Sequence, residues 1–400
     1  MEHVTCCVVG GGPAGMMLSV LLARAGVKVA VLEKHQDFLR DFRGDTVHPS
    51  TLRLLDELGL GDRFAALPHR KLEQMRMRIG DETVVAADFG RLRGRHKYIA
   101  MVPQWDFLDL LAGSEKLDLR MGTEVTGLRR IGGRVTGVTY RDENGTGELT
   151  ADLVVACDGR DSVVRRAAGL KPREFPMPMD VWQVRVPAPS HAERDGRVFG
   201  VFTRGQAAVT MDRGDYHQTS YLIRKGEDAA LRTRDIEWFR RQLAELFGWD
   251  REVLAAIRSW DDVKLLETSM GRLPRWYTDG LLCLGDAAHT MSPVGGVGVN
   301  LAVQDAVAAA RILAGPLAAG TASTSDLAKV QKRREFPMRV AQRSQLGEHD
   351  MLLRPALDGT LNGVPGPLRM VQRFPALAGV TAYVGGIGVR PEHAPAFARR

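Results

Sequence analysis

The chain has 400 residues, 44% of them hydrophobic, with 55 basic and 48 acidic side chains and a formal net charge of +7. This length and apolar content can bury a sizeable core and fit two to three domains, and no apolar run approaches the roughly 18–20 residues of a membrane span. Dispersed charge and 6% aromatic residues offer no basic face interleaved with aromatics, which excludes a nucleic-acid interface. The mildly basic surface that remains favours anionic dinucleotides and acidic substrates. Cys6, Cys7, Cys157 and Cys283 fall on or beside strand-like runs without Cys-x-x-Cys spacing and read as small core residues. Ten histidines show no metal-ligand spacing, so no metal is expected. No basic leader precedes the first strand, and a cytoplasmic location is expected.

Val4 to Val9 is a β-prone run, followed by Gly10, Gly12 and Gly15 in Gly-x-Gly-x-x-Gly spacing and a helical stretch from Pro13 to Ala25 closed by Gly26. A second run, Val27 to Leu32, ends at Glu33, 18 residues after Gly15, with Lys34 next. Strand, glycine turn, helix, strand and acid occur in the order a dinucleotide site requires. The glycines admit a pyrophosphate at the helix start around Pro13 and Ala14, and Glu33 suits a ribose hydroxyl pair. Glu33 would repel a 2′-phosphate, which argues against NADP in this slot.

A short helix follows from Thr51 to Leu58, and residues 71–97 alternate apolar and polar groups as a hairpin does (Met75, Met77, Ile79, Val84). From Tyr98 to about Gly169 the pattern is again α/β, with a meander around Gly132-Gly133 and Asn144-Gly145. It closes on Val154 to Ser162, an apolar strand running through Asp158-Gly159 into a short helix capped near Asp161 or Ser162. On its own this is an ordinary connection.

Residues 180–223 hold four short β-prone runs separated by Arg204-Gly205 and Asp212 to Asp215, both good hairpin turns, and a helix from Asp235 to Phe247 comes after them. The prediction is an antiparallel sheet with one face free to roof a ligand.

Leu281 to Leu284 is the next strand, and residues 285–300 form a strand-to-helix turn that includes Gly285-Asp286, Pro293-Val294, Gly295-Gly296 and Gly298-Val299-Asn300. Taken alone, the glycines are also compatible with a plain turn and Asp286 with a helix cap. In this context they bring free helix-start amides and a partial positive charge against a flat ligand. A reduced flavin, anionic along its N1–C2=O edge, is stabilised by that arrangement, and Asp286 at the strand end can accept hydrogen bonds from a ribityl chain. Beyond Gly315-Pro316 the chain reads as helical from about Ser325, with Pro337 expected to kink or split it. Residues 351–400 carry no interpretable pattern and could cover a pocket or form a subunit contact.

Gly10-x-Gly12-x-x-Gly15 with Glu33, Asp158-Gly159, and Gly285-Asp286 through Asn300 together resemble the single-component FAD-dependent aromatic hydroxylases typified by p-hydroxybenzoate hydroxylase, over roughly residues 1–320. The resemblance implies an α/β fold: a Rossmann-like FAD-binding domain with a glutathione-reductase-like βαβ unit, an inserted antiparallel β-sheet substrate domain and a C-terminal helical region. The expected boundaries are 1–70, 98–176 and 277–322 for the discontinuous FAD domain, 71–97 and 177–276 for the sheet, and 323–400 for the helical segment and tail. It also implies Arg43 at the cofactor's phosphates or flavin edge, Gln104 at the ribityl chain and Val125 on the adenine side. Pro293 is placed beside the flavin C4a face, and Gly298, Val299 and Asn300 at the pyrimidine end. Asp158, with Arg160 and Arg165, is associated with FAD and NAD(P)H.

The chemistry so implied is hydroxylation of an aromatic or polyketide-like small molecule through a flavin C4a-hydroperoxide. It uses tightly but non-covalently bound FAD, with NADH or NADPH as transient reductant and O2 as co-substrate, in a monomer or homodimer. A phenol reacts best when deprotonated, so a base is expected. The candidates are His48 and, on the roof sheet, His217, Tyr221 and Arg224, of which His217 and Tyr221 share a face and Arg224 takes the other. A core or surface role competes for each. Three alternatives stay open: a flavin-dependent halogenase, although the Trp-x-Trp-x-Ile-Pro segment those enzymes share survives only as Trp182 and Pro187 of Trp182 to Pro187; an FAD-dependent dehydrogenase or reductase; and a non-enzymatic flavin-binding module.

Overall fold

The computed structural model describes residues 2–39, 45–188 and 198–400. Arg43 lies outside the described residues. The central sheet has five parallel strands in the order Leu281–Cys283, Gly145–Ala156, His3–Val9, Val29–Leu32 and Asp118–Arg120. Where its central strands pair, Cys6–Val9, Val29–Leu32 and Leu153–Ala156 are apolar and buried, as a sheet covered on both faces demands. Helix Pro13–Arg24 and helix Gly298–Ala318 pack together against it. The second of these is apolar around nearly its whole circumference. It matches a membrane-crossing helix in length and hydropathy, yet 72% of its apolar window is buried inside the molecule, so it serves as the core's spine. The meander Glu124–Ile131, Arg134–Asp142 continues antiparallel from the long strand Gly145–Ala156.

A seven-stranded second sheet runs Lys264–Leu266, Met179–Pro187, Tyr216–Arg224, Ala207–Asp212, Val198–Phe202, Gln74–Ile79 and Glu82–Asp88. It is antiparallel except where Val198–Phe202 pairs in parallel with Gln74–Ile79. That exception joins two segments distant in the chain, which no hairpin signal could announce. One face carries Trp182, Val184, Ala208 and Tyr221 onto helix Ile236–Phe247. The opposite face carries Val181, Ala207 and Leu222 onto Leu352, Leu353, Leu361 and Val364 of the C-terminal segment, with Val294 at its margin.

Helix Thr324–Glu348 starts at a capping box of Ser323 and Asp326 and runs unbroken through Pro337, contrary to the expected split. Leu327, Val330 and Met338 anchor it in the core on both sides of the proline, and that packing outweighs the one missing backbone donor. Residues 351–400 form short helices, among them Gly366–Arg373 and Leu377–Ala382. The chain then returns to helix Pro49–Glu57, where the Glu57 carboxylate accepts from the Ala394 N–H at 2.7 Å.

Candidate functional site

Three strands end side by side. The Cys157 N–H donates to the Val9 carbonyl at 2.7 Å and the Leu284 N–H to the Ala156 carbonyl at 2.9 Å, so the turns starting at Gly10, Asp158 and Gly285 share the carboxyl edge of one sheet. Open α/β sheets bind ligands at that edge.

At the first turn, a Cβ on Gly15 would fall inside the Gly10 carbonyl oxygen, whereas one on Gly12 would meet nothing within 4 Å. Helix and strand are therefore in contact on one side, and the turn is open on the other. Gly12 caps the helix without a side chain, Pro13 occupies its first turn and no acid is present there, which leaves the start cationic. Glu33 is buried, its Oε2 accepting from the Gly11 N–H at 2.8 Å and its Oε1 from the His35 N–H at 3.0 Å. The Thr123 N–H donates to the Glu33 carbonyl at 2.8 Å, which brings buried Val125, two residues on, to the same side. Ala14 is buried beneath the turn, and Lys34 is exposed beside it.

Asp158 accepts from the Val164 N–H at 3.2 Å through Oδ2, while Oδ1 is buried without a partner. Burial pushes its carboxyl above the usual range against the pull of Ser162 and of local amides. Arg165 points elsewhere. Its guanidinium donates to the carbonyls of Ala287 at 3.2 Å and Arg160 at 2.6 Å, fastening this turn to the Gly285 turn, and Arg160 reaches the Glu267 carbonyl at the surface. Both brace the protein's own backbone at these contacts.

The turn at 285–300 is shaped from outside. Gly295 and Gly296 take φ of 75° and 61°, and a Cβ on Gly296 would lie 2.9 Å from Thr46 Oγ1, which donates to the Gly296 carbonyl at 3.2 Å. Helix Gly298–Ala318 begins without a side-chain cap or a first-turn acid, so the amides of Gly298 and Val299 meet no competing side chain of their own helix. Asn300 is buried, and its Oδ1 accepts from Ser50 Oγ and Thr51 Oγ1, each at 2.8 Å, so the carboxamide oxygen is committed to helix Pro49–Glu57. Asp286 is half-buried at the strand end, and Pro293 is exposed next to half-buried Val294.

Helix Thr324–Glu348 supplies a clamp that pattern reading missed. Gln345 donates to the carbonyls of Ser292 at 2.9 Å and Val294 at 2.7 Å and accepts from the Ser292 N–H at 3.1 Å. Gln342 donates to Gly271 and Thr290 carbonyls, and His349 meets Ser292 Oγ at 2.9 Å. Below the turn, the fully buried Asp305 contacts His289 Nε2 at 2.6 Å through one oxygen and Arg334 Nε at 2.9 Å through the other. Burial alone would raise the Asp305 carboxyl, but His289 and Arg334 outweigh it and hold it below the usual range. One signal was available in the chain: Arg334, Gln342, Gln345 and His349 recur on one helical face where apolar residues were expected.

His48 is buried, with Nδ1 at 3.0 Å from the Gly385 carbonyl and Nε2 at 3.1 Å from the Gly296 carbonyl. Burial pushes its pKa down to about 4, so the ring is neutral and its single N–H donates to one of these two carbonyls while the other nitrogen faces the second. It ties the 294–296 turn to the tail, which corrects its place among the candidate bases. His217 and Tyr221 are corrected as well. They lie on the helix-facing side of the second sheet, His217 stacked on Trp249 with centroids 5.4 Å apart and Tyr221 against Trp182 and Phe239. Burial raises the Tyr221 hydroxyl pKa and lowers that of the His217 ring. Their shared parity was read correctly, but which face looks at the turn is set by what packs behind it. Trp182 occupies that far face too, its Nε1 donating to Asp228 at 2.6 Å. Arg224 takes the near side and donates to the Leu357 carbonyl at 3.0 Å.

The near face opposite Val294 presents half-buried Met77, Val209 and Met211, with Ser220 donating to Gln183 at 3.1 Å. At one end the Asp45 carboxylate accepts from the Gln104 N–H and pairs with Arg213 at 2.5 Å; burial raises its carboxyl, and Arg213 opposes that. Gln104 thus opens helix Gln104–Ala112 where the second sheet meets the first.

Residues 3–344 match the family model described as an FAD binding domain. The 6-methylpretetramide 4-monooxygenase of Streptomyces rimosus is 32% identical over 386 residues, spanning 94% of this chain and 91% of that protein. The chain belongs to the FAD-dependent aromatic monooxygenases. A second member, the 12-dehydrotetracycline 5-monooxygenase/anhydrotetracycline 6-monooxygenase of Streptomyces rimosus subsp. rimosus, is 33% identical over 75% of this chain, which spans 60% of that longer protein. Among solved structures, the anhydrotetracycline hydroxylase of Streptomyces rimosus superposes with a TM-score of 0.75 at 25% identity, covering 98% of this chain and 77% of the other. FAD is the family's cofactor, and the monooxygenase fold with its C-terminal helical region is shared.

Proposed function

We propose that the protein uses FAD, NAD(P)H and O2 to hydroxylate a polycyclic, phenolic polyketide-like substrate held between the 293–296 turn and the near face of the second sheet. The observation that carries this reading is the pairing of two uncapped helix starts at one sheet edge with an apolar, methionine-rich face opposite Pro293 and Val294.

The residues fit FAD. Gly12 leaves open space at the first helix start, and Gly10, Pro13, Ala14 and Gly15 form the turn that would take the pyrophosphate, with Glu33 at the ribose and Val125 beside the adenine. The orphaned Asp158 Oδ1 is a buried acceptor awaiting a donor from a ligand or a protonated state. Asp286 and Gln104 would hold the ribityl chain, and Gly295, Gly296, Gly298 and Val299 the ring edge. Bound FAD supplies hydride acceptance from NAD(P)H and activation of O2. The protein's part is to orient and to keep water out: Gln345 and His48 fix the turn from two sides, while Met77, Val209 and Met211 present little that hydrates. The Ser220–Gln183 pair is the polar contact on that face suited to a substrate hydroxyl or carbonyl.

The names of the relatives, which act on tetracycline-type substrates, support the substrate class. The test is NAD(P)H oxidation and O2 uptake by the FAD-loaded protein with tetracyclic phenols against simple phenols. Faster oxidation with the tetracyclic set and a product one oxygen atom heavier are expected. Oxidation indifferent to every aromatic would sink the reading, and a chloride-dependent product would replace it with halogenation.

A further inference from the structure

We propose that the helix pair Gly366–Arg373 and Leu377–Ala382, with the turn of helix that follows it, docks on a bilayer carrying anionic lipid. Met370 and Phe374 stand one turn apart on the first helix, and Val380, Tyr383 and Val384 share a side of the second. All five are large, apolar and 40–57% exposed, although the molecule has ample interior for such groups. The segment Leu377–Ile387 is apolar around its whole circumference, burying Ala378, Ala382 and Ile387 on one side and presenting the larger residues on the other. Of its two hydroxyl-bearing residues, Thr381 donates to the Ala86 carbonyl and Tyr383 is half exposed.

The charge around these side chains is predominantly basic. Residues 359–391 contain Arg369, Arg373 and Arg390 and no carboxylate. Arg91 packs against Gly379 on the second helix, and Arg93, Arg95 and Lys97 follow in a stretch, 89–105, that also lacks any acid. Of the nearby carboxylates, Asp88 pairs with Arg91, Asp56 with His96, and Glu392 is buried against Arg333, while exposed Asp81 and Glu82, at the hairpin end of the strand on which helix Gly366–Arg373 packs, are outnumbered by the basic side chains.

A second copy is a poor occupant, because a two-fold contact would set Arg369 and Arg373 against their own images with only Asp81 and Glu82 of the adjoining hairpin to offset them. Arg369 and Arg373 immediately precede Met370 and Phe374, and the Arg373 guanidinium lies 5.8 Å from the Phe374 ring centre, so the cations sit level with the apolar groups. That arrangement suits the boundary between anionic headgroups and acyl chains, where arginine stems and a tyrosine ring are both at home.

The experiment is flotation of the FAD-loaded protein with phosphatidylcholine vesicles with and without phosphatidylglycerol. Binding is expected only with phosphatidylglycerol and is lost at high salt. The variant Arg369→Gln/Arg373→Gln lowers the partition coefficient about 30-fold, and Phe374→Ser/Tyr383→Ser lowers it about tenfold or more. Flavin absorbance of both variants stays that of the parent, which excludes misfolding. Three results would overturn the proposal: no vesicle binding, equal binding to both vesicle types, or a concentration-dependent dimer that Phe374→Ser/Tyr383→Ser abolishes. Binding to soluble poly-L-glutamate that survives the apolar variant would instead mark an acidic protein as the partner.

Discussion

The turn at residues 10–15 is shaped mainly by the strand and helix on either side of it, with Glu33 and the Cys157–Asp158 backbone against it, whereas the turn at residues 285–300 is held by side chains 51 to 250 residues away in the chain. Both end at the start of an uncapped helix on the same sheet edge. The first turn's steric limits come mostly from backbone, Gly10 against Gly15 and the Cys157–Asp158 backbone against Gly10, so side-chain changes elsewhere affect it less than changes to its own glycines. Gln345, His48, Ser50 and Thr51 give the second its form, and it inherits the stability of every element that carries them. The part of the site nearest the chemistry is thus the part most exposed to distant mutations.

Arg334→Met is the strongest way to break this comparison, because it leaves Asp305 ionised and buried with only His289 and a long contact from the Gly285 N–H. The expected cost is about 3–5 kcal/mol in thermal unfolding, with FAD loosened although no residue at the turn has changed. Recovery in Arg334→Met/Asp305→Leu would assign the loss to the stranded charge. Gly15→Ala attacks the other turn from within. Its Cβ has no room beside the Gly10 carbonyl, and FAD affinity should fall on the order of 100-fold, read as flavin lost on gel filtration.

His48 sharpens the comparison through pH. Its folded pKa of about 4 lies below the ordinary 6.5, so as pH falls the unfolded chain takes up the proton first. Its contribution is intact above about pH 6.5 and is lost progressively towards pH 4, by up to about 3 kcal/mol. Denaturant titrations of the parent and of His48→Gln should converge on acidification across that window; parallel curves would contradict it. Gln345→Ala removes three hydrogen bonds from residues 292–294 and should cost about 2 kcal/mol, with more hydrogen peroxide released per NAD(P)H consumed as the turn loosens. At the small end, Tyr221→Phe should leave turnover unchanged and stability within about 0.5 kcal/mol, while Ser220→Ala on the opposite face raises KM for the aromatic substrate. A large turnover loss in Tyr221→Phe would reverse the assignment of the two faces.

Much of this molecule was readable from local pattern. Strand, glycine spacing and acid placed the Gly10 turn and Glu33. Period-two runs located Met179–Pro187 and Tyr216–Arg224, and residues 285–300 stood out because glycines, a strand end and a helix start coincide there. These signals depend on neighbours a few residues apart, where φ/ψ limits and side-chain alternation act directly.

Tertiary packing decided the rest. Period two puts His217 with Tyr221 but cannot say which face meets helix Ile236–Phe247, and so the choice between a base and a core role stayed open for both. Pro337 was expected to kink or split its helix, and core contacts on both sides exclude the split. Arg165, His48 and Asn300 carried the right polar groups, but their hydrogen bonds go to backbone and side chains from remote elements. The sequence by itself determined the local elements and the sheet-edge turns, because short-range sterics act without knowledge of the fold. Which buried donor meets which acceptor was decided only when distant segments came together and each had to find a partner in the absence of water.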